Sequence, residues 1–202
     1  LYYQKKHIKI KNRGKKMDGK SSLLHRNMLG LLGMLLPFIS IVGGLFVRDK
    51  VPQWWYSISV TYYITPALPI ILGASAIFLM CYRSYEKIDT IVNVLSGVFA
   101  LGVVVFPCSN PYGYENVGFF QLPVGVSNTV HIICAMFLFA FLAYNIGWLF
   151  TRGNNQKKNR IYKICAYGII VLLIAFCVCQ TLNGFLHFMP EWIVIIVETL
   201  LL

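Results

Sequence analysis

The chain has 202 residues, of which 57% are hydrophobic and only 12% are charged. This composition excludes an ordinary soluble domain, in which about a quarter of the residues are charged, and indicates an integral membrane protein. The net charge of +11 does not indicate a nucleic-acid partner. The basic residues lie in a tail and in short loops, whereas a nucleic-acid interface gathers them on one face with stacking groups.

Six apolar runs follow one another along the chain, at residues 28–47, 66–81, 91–106, 130–150, 164–182 and 192–202. A bilayer core needs about 20 helical residues, with a range of about 17 to 25. The first, fourth and fifth runs therefore predict spans, the second and third are slightly short, and the sixth is a half-span or is truncated. We expect an all-α bundle of six transmembrane helices at 28–202, preceded by a basic, disordered cytoplasmic tail at 1–27.

The basic residues predict the orientation of this bundle. Of the 18 Lys and Arg residues, 16 fall on one side of the runs and two, Arg48 and Lys50, fall on the other. Because Lys and Arg in short loops stay in the cytoplasm, both termini are expected there, in a multi-pass protein of the cytoplasmic membrane. Membrane lipid is the expected partner, including anionic headgroups at the cytoplasmic face.

The segment between the first two apolar runs interrupts the helical apolar pattern. Trp54, Trp55 and Tyr56 are typical of the outer interface. The hydroxyl-rich residues 57–65 then lead into Pro66, which suits the first turn of a helix. The second helix is expected to begin near Pro66. Residues 57–65 are then either an interfacial or re-entrant segment, shielded by other helices, or a simple extension of that helix.

Ionisable residues inside the lipid zone are scarce, and they supply the candidate ligand-binding site. His131 lies about one turn inside the fourth run and Glu198 about two turns inside the sixth. A carboxylate at that depth needs a partner or a proton. His131 is alternatively a packing histidine, and Glu198 alternatively lies near water. Four more polar residues are expected to converge on the same outward-facing vestibule: Tyr62, Tyr63, Asn128 and Asp49.

The remaining polar and small residues predict packing and no chemistry. The six cysteines lack metal-ligand spacing, and no motif indicates a cofactor, so neither a metal nor a catalytic residue is predicted. Asn93 and Asn145 are expected to form hydrogen bonds between helices. Small residues allow helices to approach closely, which is the role expected for Gly30, Gly33, Gly43, Gly44, Gly97 and Gly102.

Several short motifs carry a resemblance to known proteins. They are the Ser57–Tyr63 segment, Tyr82-Arg83-Ser84-Tyr85 with Asp89, Ser96-Gly97 with Ala100 and Gly102, Phe106-Pro107, His131, and Asn159-Arg160 with Tyr162. The chain resembles a group of small uncharacterised bacterial six-span membrane proteins. More distantly it is similar to domain-of-unknown-function and DRAM/Frag/Sfk-type membrane families, which also place a histidine at the start of an inner span. The resemblance implies a fold, a location in the cytoplasmic (inner) membrane of a bacterium, and a chain that continues past Leu202, but no reaction.

Three functions fit these observations. The first is non-enzymatic recognition of a lipid or small amphiphile through the outward-facing polar pocket, with the aromatic residues at 54–63 holding its body. The second is a proton-coupled carrier of a small solute, since His and Glu can both titrate near neutral pH. The third is an intramembrane lipid-modifying enzyme with His131 as general base. Too few polar groups support the enzyme, so a non-enzymatic role is expected.

Overall fold

The computed structural model describes residues 24, 27–46, 57–82, 86–152, 155–186 and 192–201, with the backbone alone at 179–186 and 192. The basic tail before residue 24, Asp49 and the aromatic cluster at 54–56 lie outside the described residues. The helices are α1 (Asn27–Leu45), a 3-10 helix (Ser59–Tyr63), α2 (Ala67–Cys81), α3 (Lys87–Val105), α4 (Val124–Tyr144), α5 (Gln156–Leu186) and α6 (Trp192–Leu201).

Four helices in the described residues are long and apolar enough to cross a membrane: α1, α3, α4 with its continuation to Arg152, and α5. The prediction of a mostly helical chain with membrane-capable helices is thereby confirmed. The third apolar run, which looked short, begins four residues earlier as a helix and reaches 19 residues. Helix α2 has 15 residues and α6 has 10. The count of six spans therefore stays a prediction.

The break before the second apolar run is an element of its own. Residues Ser59–Tyr63 form a 3-10 helix, and α2 begins immediately after Pro66, as the sequence predicts. Proline has no N–H group and fixes φ near its helical value, so it is well suited to this position. Residues 57–65 are therefore separate from α2, and the alternative of a simple helix extension is wrong.

Helix α3 packs between α2 and α4. A Cβ atom at Gly97 would lie 2.6 Å from the Ala76 carbonyl oxygen of α2, and one at Gly102 would lie 2.6 Å from Cys134 Sγ of α4. These two glycines therefore permit close helix approach, as predicted. A Cβ atom at Gly30 would meet nothing within 4 Å, so the prediction of close packing is wrong at that position.

Two apolar clusters form the core. One joins α2, α3 and α4 through Ala76, Leu79, Ala100, Val103 and Leu138. The other joins α1, the 3-10 segment and α2 through Leu36, Ile58, Leu68 and Ile71, with Ile195 of α6 packed against it. The second cluster therefore fixes α6 beside the start of the 3-10 helix.

The loop between α3 and α4 contains a small hairpin, which an all-α prediction omits. Strands β1 (Asn116–Val117) and β2 (Leu122–Pro123) pair antiparallel, with Val117 opposite Leu122. Gly118 at the turn has φ +77°, and a Cβ atom there would lie 2.7 Å from Pro107 Cδ. Glycine suits both the left-handed backbone and the close approach. The turn leaves Phe119 81% exposed.

Candidate functional site

Glu198 binds the start of the 3-10 helix. Its carboxylate accepts hydrogen bonds from the Ile58 backbone N–H at 2.6 Å, from Ser57 Oγ at 2.8 Å and from Ser59 Oγ at 3.1 Å. The first N–H groups of any helix lack acceptors within it, and Glu198 supplies one from α6. The predicted need of this carboxylate for partners is met by residues 57–59, which had not been assigned to the site.

His131 connects α4 to the end of α3. Its Nδ1 lies 2.8 Å from the Phe106 carbonyl oxygen. A carbonyl can only accept, so Nδ1 carries a hydrogen and donates, as the packing-histidine alternative requires. Helix α4 begins at Val124, which places His131 about two turns inside it, one turn deeper than the sequence indicates. The side chain is buried.

The second ring nitrogen of His131 links the histidine to the acidic residue. Nε2 lies 3.4 Å from Ser59 Oγ, the hydroxyl that also bonds to Glu198. His131 and Glu198 therefore share Ser59 and are joined through it. The sequence predicts that both residues lie at a similar depth in the membrane. The hydroxyl groups of Ser57-Ile58-Ser59 are the sequence feature that could have indicated the serine between them.

The predicted vestibule residues hold the loop between α3 and α4, which is the outer loop in the predicted orientation. The Tyr63 hydroxyl donates to the Cys108 carbonyl oxygen at 2.6 Å, and Asn128 Oδ1 accepts from the Ser109 N–H at 3.1 Å. Tyr62 packs against the apolar cluster around Ile58. The two hydrogen bonds hold the loop against the 3-10 helix and α4, while the convergence of all six predicted residues on one ligand stays a prediction.

Cys108 is buried in this loop. Burial, together with the nearby charge of Glu198, raises the pKa of the Cys108 thiol above its usual range. The thiol is therefore protonated at neutral pH, and a protonated thiol is a poor nucleophile.

A second polar group lies at the opposite ends of α3 and α4. Asp89 is fully buried, and Arg152 donates to both of its oxygens, at 2.5 Å and 3.2 Å. Glu86, which is largely exposed, lies 3.4 Å from the same guanidinium. Planar bidentate pairing of this kind is the strongest that a carboxylate makes with a side chain. From the sequence alone, Arg152 contributes only to the predicted membrane orientation, and its pairing with Asp89 is not predicted.

One π-helical turn separates α4 from Arg152. It covers Asn145–Leu149 and is followed by a 3-10 turn at Phe150–Arg152. Asn145 Nδ2 lies 3.5 Å from Ser96 Oγ of α3, a long contact that fits the predicted interhelical role. Within the described residues, the buried Asn93 Nδ2 and Asn145 Oδ1 have no hydrogen-bond partner.

The group formed by Glu198, Ser59 and His131, which is the outer group in the predicted orientation, differs from a nucleophilic triad. In a triad the carboxylate orients the histidine through Nδ1, whereas here Nδ1 faces a backbone carbonyl and the carboxylate binds the serine itself. Among the described residues, no three His, Cys, Asp or Glu side chains come close enough to hold a metal ion. The geometry fits proton exchange between Glu198 and His131 better than covalent catalysis.

No family model, curated protein or solved structure matches this chain. The resemblance to bacterial six-span proteins therefore stays a prediction.

Proposed function

We propose that the protein is a proton-coupled carrier of a small solute in the cytoplasmic membrane. Four membrane-capable helices support the membrane location. The basic residues, 16 against two, support six membrane segments with both termini in the cytoplasm. The observation that carries the proposal is the single hydroxyl, Ser59 Oγ, shared by Glu198 and His131 at 3.1 Å and 3.4 Å.

The shared hydroxyl provides a path for one proton. When Glu198 is protonated and His131 is neutral, the carboxyl O–H proton moves to Ser59 Oγ while the serine gives its own proton to His131 Nε2. An O–H bond breaks at Glu198, an N–H bond forms at His131, and the serine stays neutral. Rotation of the hydroxyl resets the path. A buried group that gains or loses a charge in this way can couple proton movement to a change of conformation.

The apolar cluster of α2, α3 and α4 supports the same proposal. It lies between the outer group at His131 and the inner group at Asp89. A carrier requires polar sites separated by a barrier, because a continuous water path would dissipate the proton gradient. The 3-10 helix before α2 and the π turn after α4 are two departures from regular α-helix, and irregular helical segments are a feature of many transporters.

Recognition of a lipid or small amphiphile is the second candidate function. It is favoured by the aromatic side chains that the outer loop exposes, Phe119 at 81% and Phe120 at 58%. Such rings settle at the membrane interface and could hold an apolar body. The two candidates differ in one respect, since recognition alone does not require protons to pass between Glu198 and His131.

An infrared pH titration of the purified protein tests the relay. Coupled groups share their macroscopic titration steps, so the carboxyl band of Glu198 and the imidazole bands of His131 should both change within the same step. Ser59→Ala should separate the two transitions. Ser57→Ala is the matched control, because it removes a hydroxyl that binds Glu198 at 2.8 Å and leaves the Ser59 bridge intact.

Proteoliposomes that enclose a pH-sensitive dye then test carriage. When a mixture of amino acids and sugars is supplied outside under an imposed membrane potential, the wild-type protein and Ser57→Ala should acidify the lumen faster than empty liposomes, whereas Ser59→Ala and His131→Gln should not. Equal rates for all four proteins, or independent titration of Glu198 and His131 in the wild type, would contradict the proposal.

A further inference from the structure

One face of α5 forms a groove that the outer site does not use. It is lined by Gln156, Asn159, Arg160, Lys163, Ile164 and Tyr167, and we call it the α5 groove. With about 100° of rotation per residue, these positions fall on one side of the helix. The groove therefore combines two cations, two amides and an aromatic ring on a single face.

The cations of the α5 groove have no acidic partner in the described part of the chain. Four acidic residues are described. Glu86 and Asp89 face Arg152, Glu198 binds residues 57–59, and Glu115 lies in the loop at the other end of α4. The first turn of α5 contains no acidic residue. Because the N-terminus of a helix already carries partial positive charge, an external anion would relieve the repulsion there.

The same face continues as an apolar track. Val171, Ile174 and Val178 follow Tyr167 on this side of α5, and each is at least half exposed. The twelve residues from Tyr167 to Val178 are separated by eleven helical steps and span about 16 Å of helix. That length is close to half of a bilayer core of about 30 Å, so it matches the acyl region of one leaflet.

Helix α5 is also the least covered of the four membrane-capable helices. Only 6% of its apolar window is buried, against 22–33% in the others. A face that is basic at the membrane surface and apolar along one leaflet is complementary to a single class of molecule in its surroundings, an anionic phospholipid.

We propose that the α5 groove binds one anionic phospholipid, with the headgroup phosphate between Arg160 and Lys163 and an acyl chain along Val171, Ile174 and Val178. A guanidinium binds phosphate oxygens in a planar fork, and Lys163 adds a second positive charge one turn further along. On the proposed orientation this lipid belongs to the cytoplasmic leaflet. The site is independent of the relay at Ser59.

Native mass spectrometry of the full chain in detergent tests this site, with phosphatidylglycerol as the probe and phosphatidylcholine as the neutral comparison. The double variant Arg160→Gln/Lys163→Gln should weaken phosphatidylglycerol binding by about tenfold or more. The control is Lys157→Gln/Lys158→Gln, which removes the same charge from the preceding turn of the helix. Lys158 lies on roughly the opposite side of the helix, so the control should change binding by less than about twofold.

Equal losses in both double variants would overturn the proposal, because they would show a general field of positive charge. Displacement of the lipid by an equal concentration of inorganic phosphate would also overturn it, since the apolar track would then contribute nothing. Arg160 is exposed, so neither variant removes a core contact. Helix content and the elution volume of each variant confirm that it is folded.

Discussion

Arg152 is expected to stabilise the protein far more than an ordinary surface cation, and substitution by Met tests this. The Asp89 side chain has no exposed surface, and two of its hydrogen bonds come from Arg152, at 2.5 Å and 3.2 Å. The change Arg152→Met keeps the aliphatic stem but removes the charge that neutralises this carboxylate. Breaking a buried pair from one side costs about 3–5 kcal/mol.

The other substitutions at this pair should cost less. Asp89→Asn removes the buried charge and leaves Arg152, whose side chain is 35% exposed, able to reach water or headgroups. We expect a loss of about 1.5–3 kcal/mol, the range for a hydrogen bond to a charged group. The double variant should cost clearly less than the sum of the two, because no charge is then left buried.

Glu86→Gln supplies the control for this series. Glu86 contacts the same guanidinium at 3.4 Å, but its side chain is 63% exposed, and exposed pairs contribute about 0–1 kcal/mol. The measurement is the free energy of unfolding in mixed micelles, followed by the loss of helical circular dichroism as denaturing detergent is added. If Arg152→Met were no worse than Glu86→Gln, or if the double variant were additive, the burial argument would be refuted.

Two further predictions concern α3 and the outer loop. Gly97→Ala should destabilise the protein by about 1–3 kcal/mol, because the added methyl meets the backbone of α2. Gly73→Ala, where nothing lies within 4 Å, should not destabilise it, and equal unfolding midpoints for the two would disprove the tight-contact argument. Cys108 should react slowly with a membrane-impermeant maleimide added to intact cells, and its rate should still rise above pH 9, because its raised pKa keeps the thiol protonated. Glu115→Cys, exposed in the same loop, should react rapidly from outside, and labelling only after permeabilisation would contradict the proposed orientation.

The sequence predicted the helices well because lipid imposes a simple rule. Apolar runs of sufficient length have few alternatives to a helix, and Pro66 marked the start of α2 for a local steric reason. His131 and Glu198 could be selected because an ionisable residue at that depth is rare. Each of these signals is carried by adjacent residues.

The remainder of the site depends on contacts that leave no local pattern. Ser59 and Glu198 are 139 positions apart, and a serine beside β-branched residues is equally typical of a loop. The positive charge of Arg152 is consistent both with a role in membrane orientation and with an ion pair. The sequence does not show which, because Asp89 becomes its neighbour only in the folded protein. The π turn at Asn145 has no sequence signal in this chain that distinguishes it from ordinary helix.

The placement of Glu198 on the last described helix has a consequence for biosynthesis. Ser57 and Glu198 are 141 residues apart, and a ribosome adds about 5–20 residues per second. The hydrogen-bond donors at residues 57–59 are therefore synthesised on the order of ten seconds before the carboxylate of Glu198 that accepts from them. During that interval water, lipid headgroups or the insertion machinery must satisfy them. Residues 57–59 thus reach their final hydrogen bonding only after α6 has been synthesised.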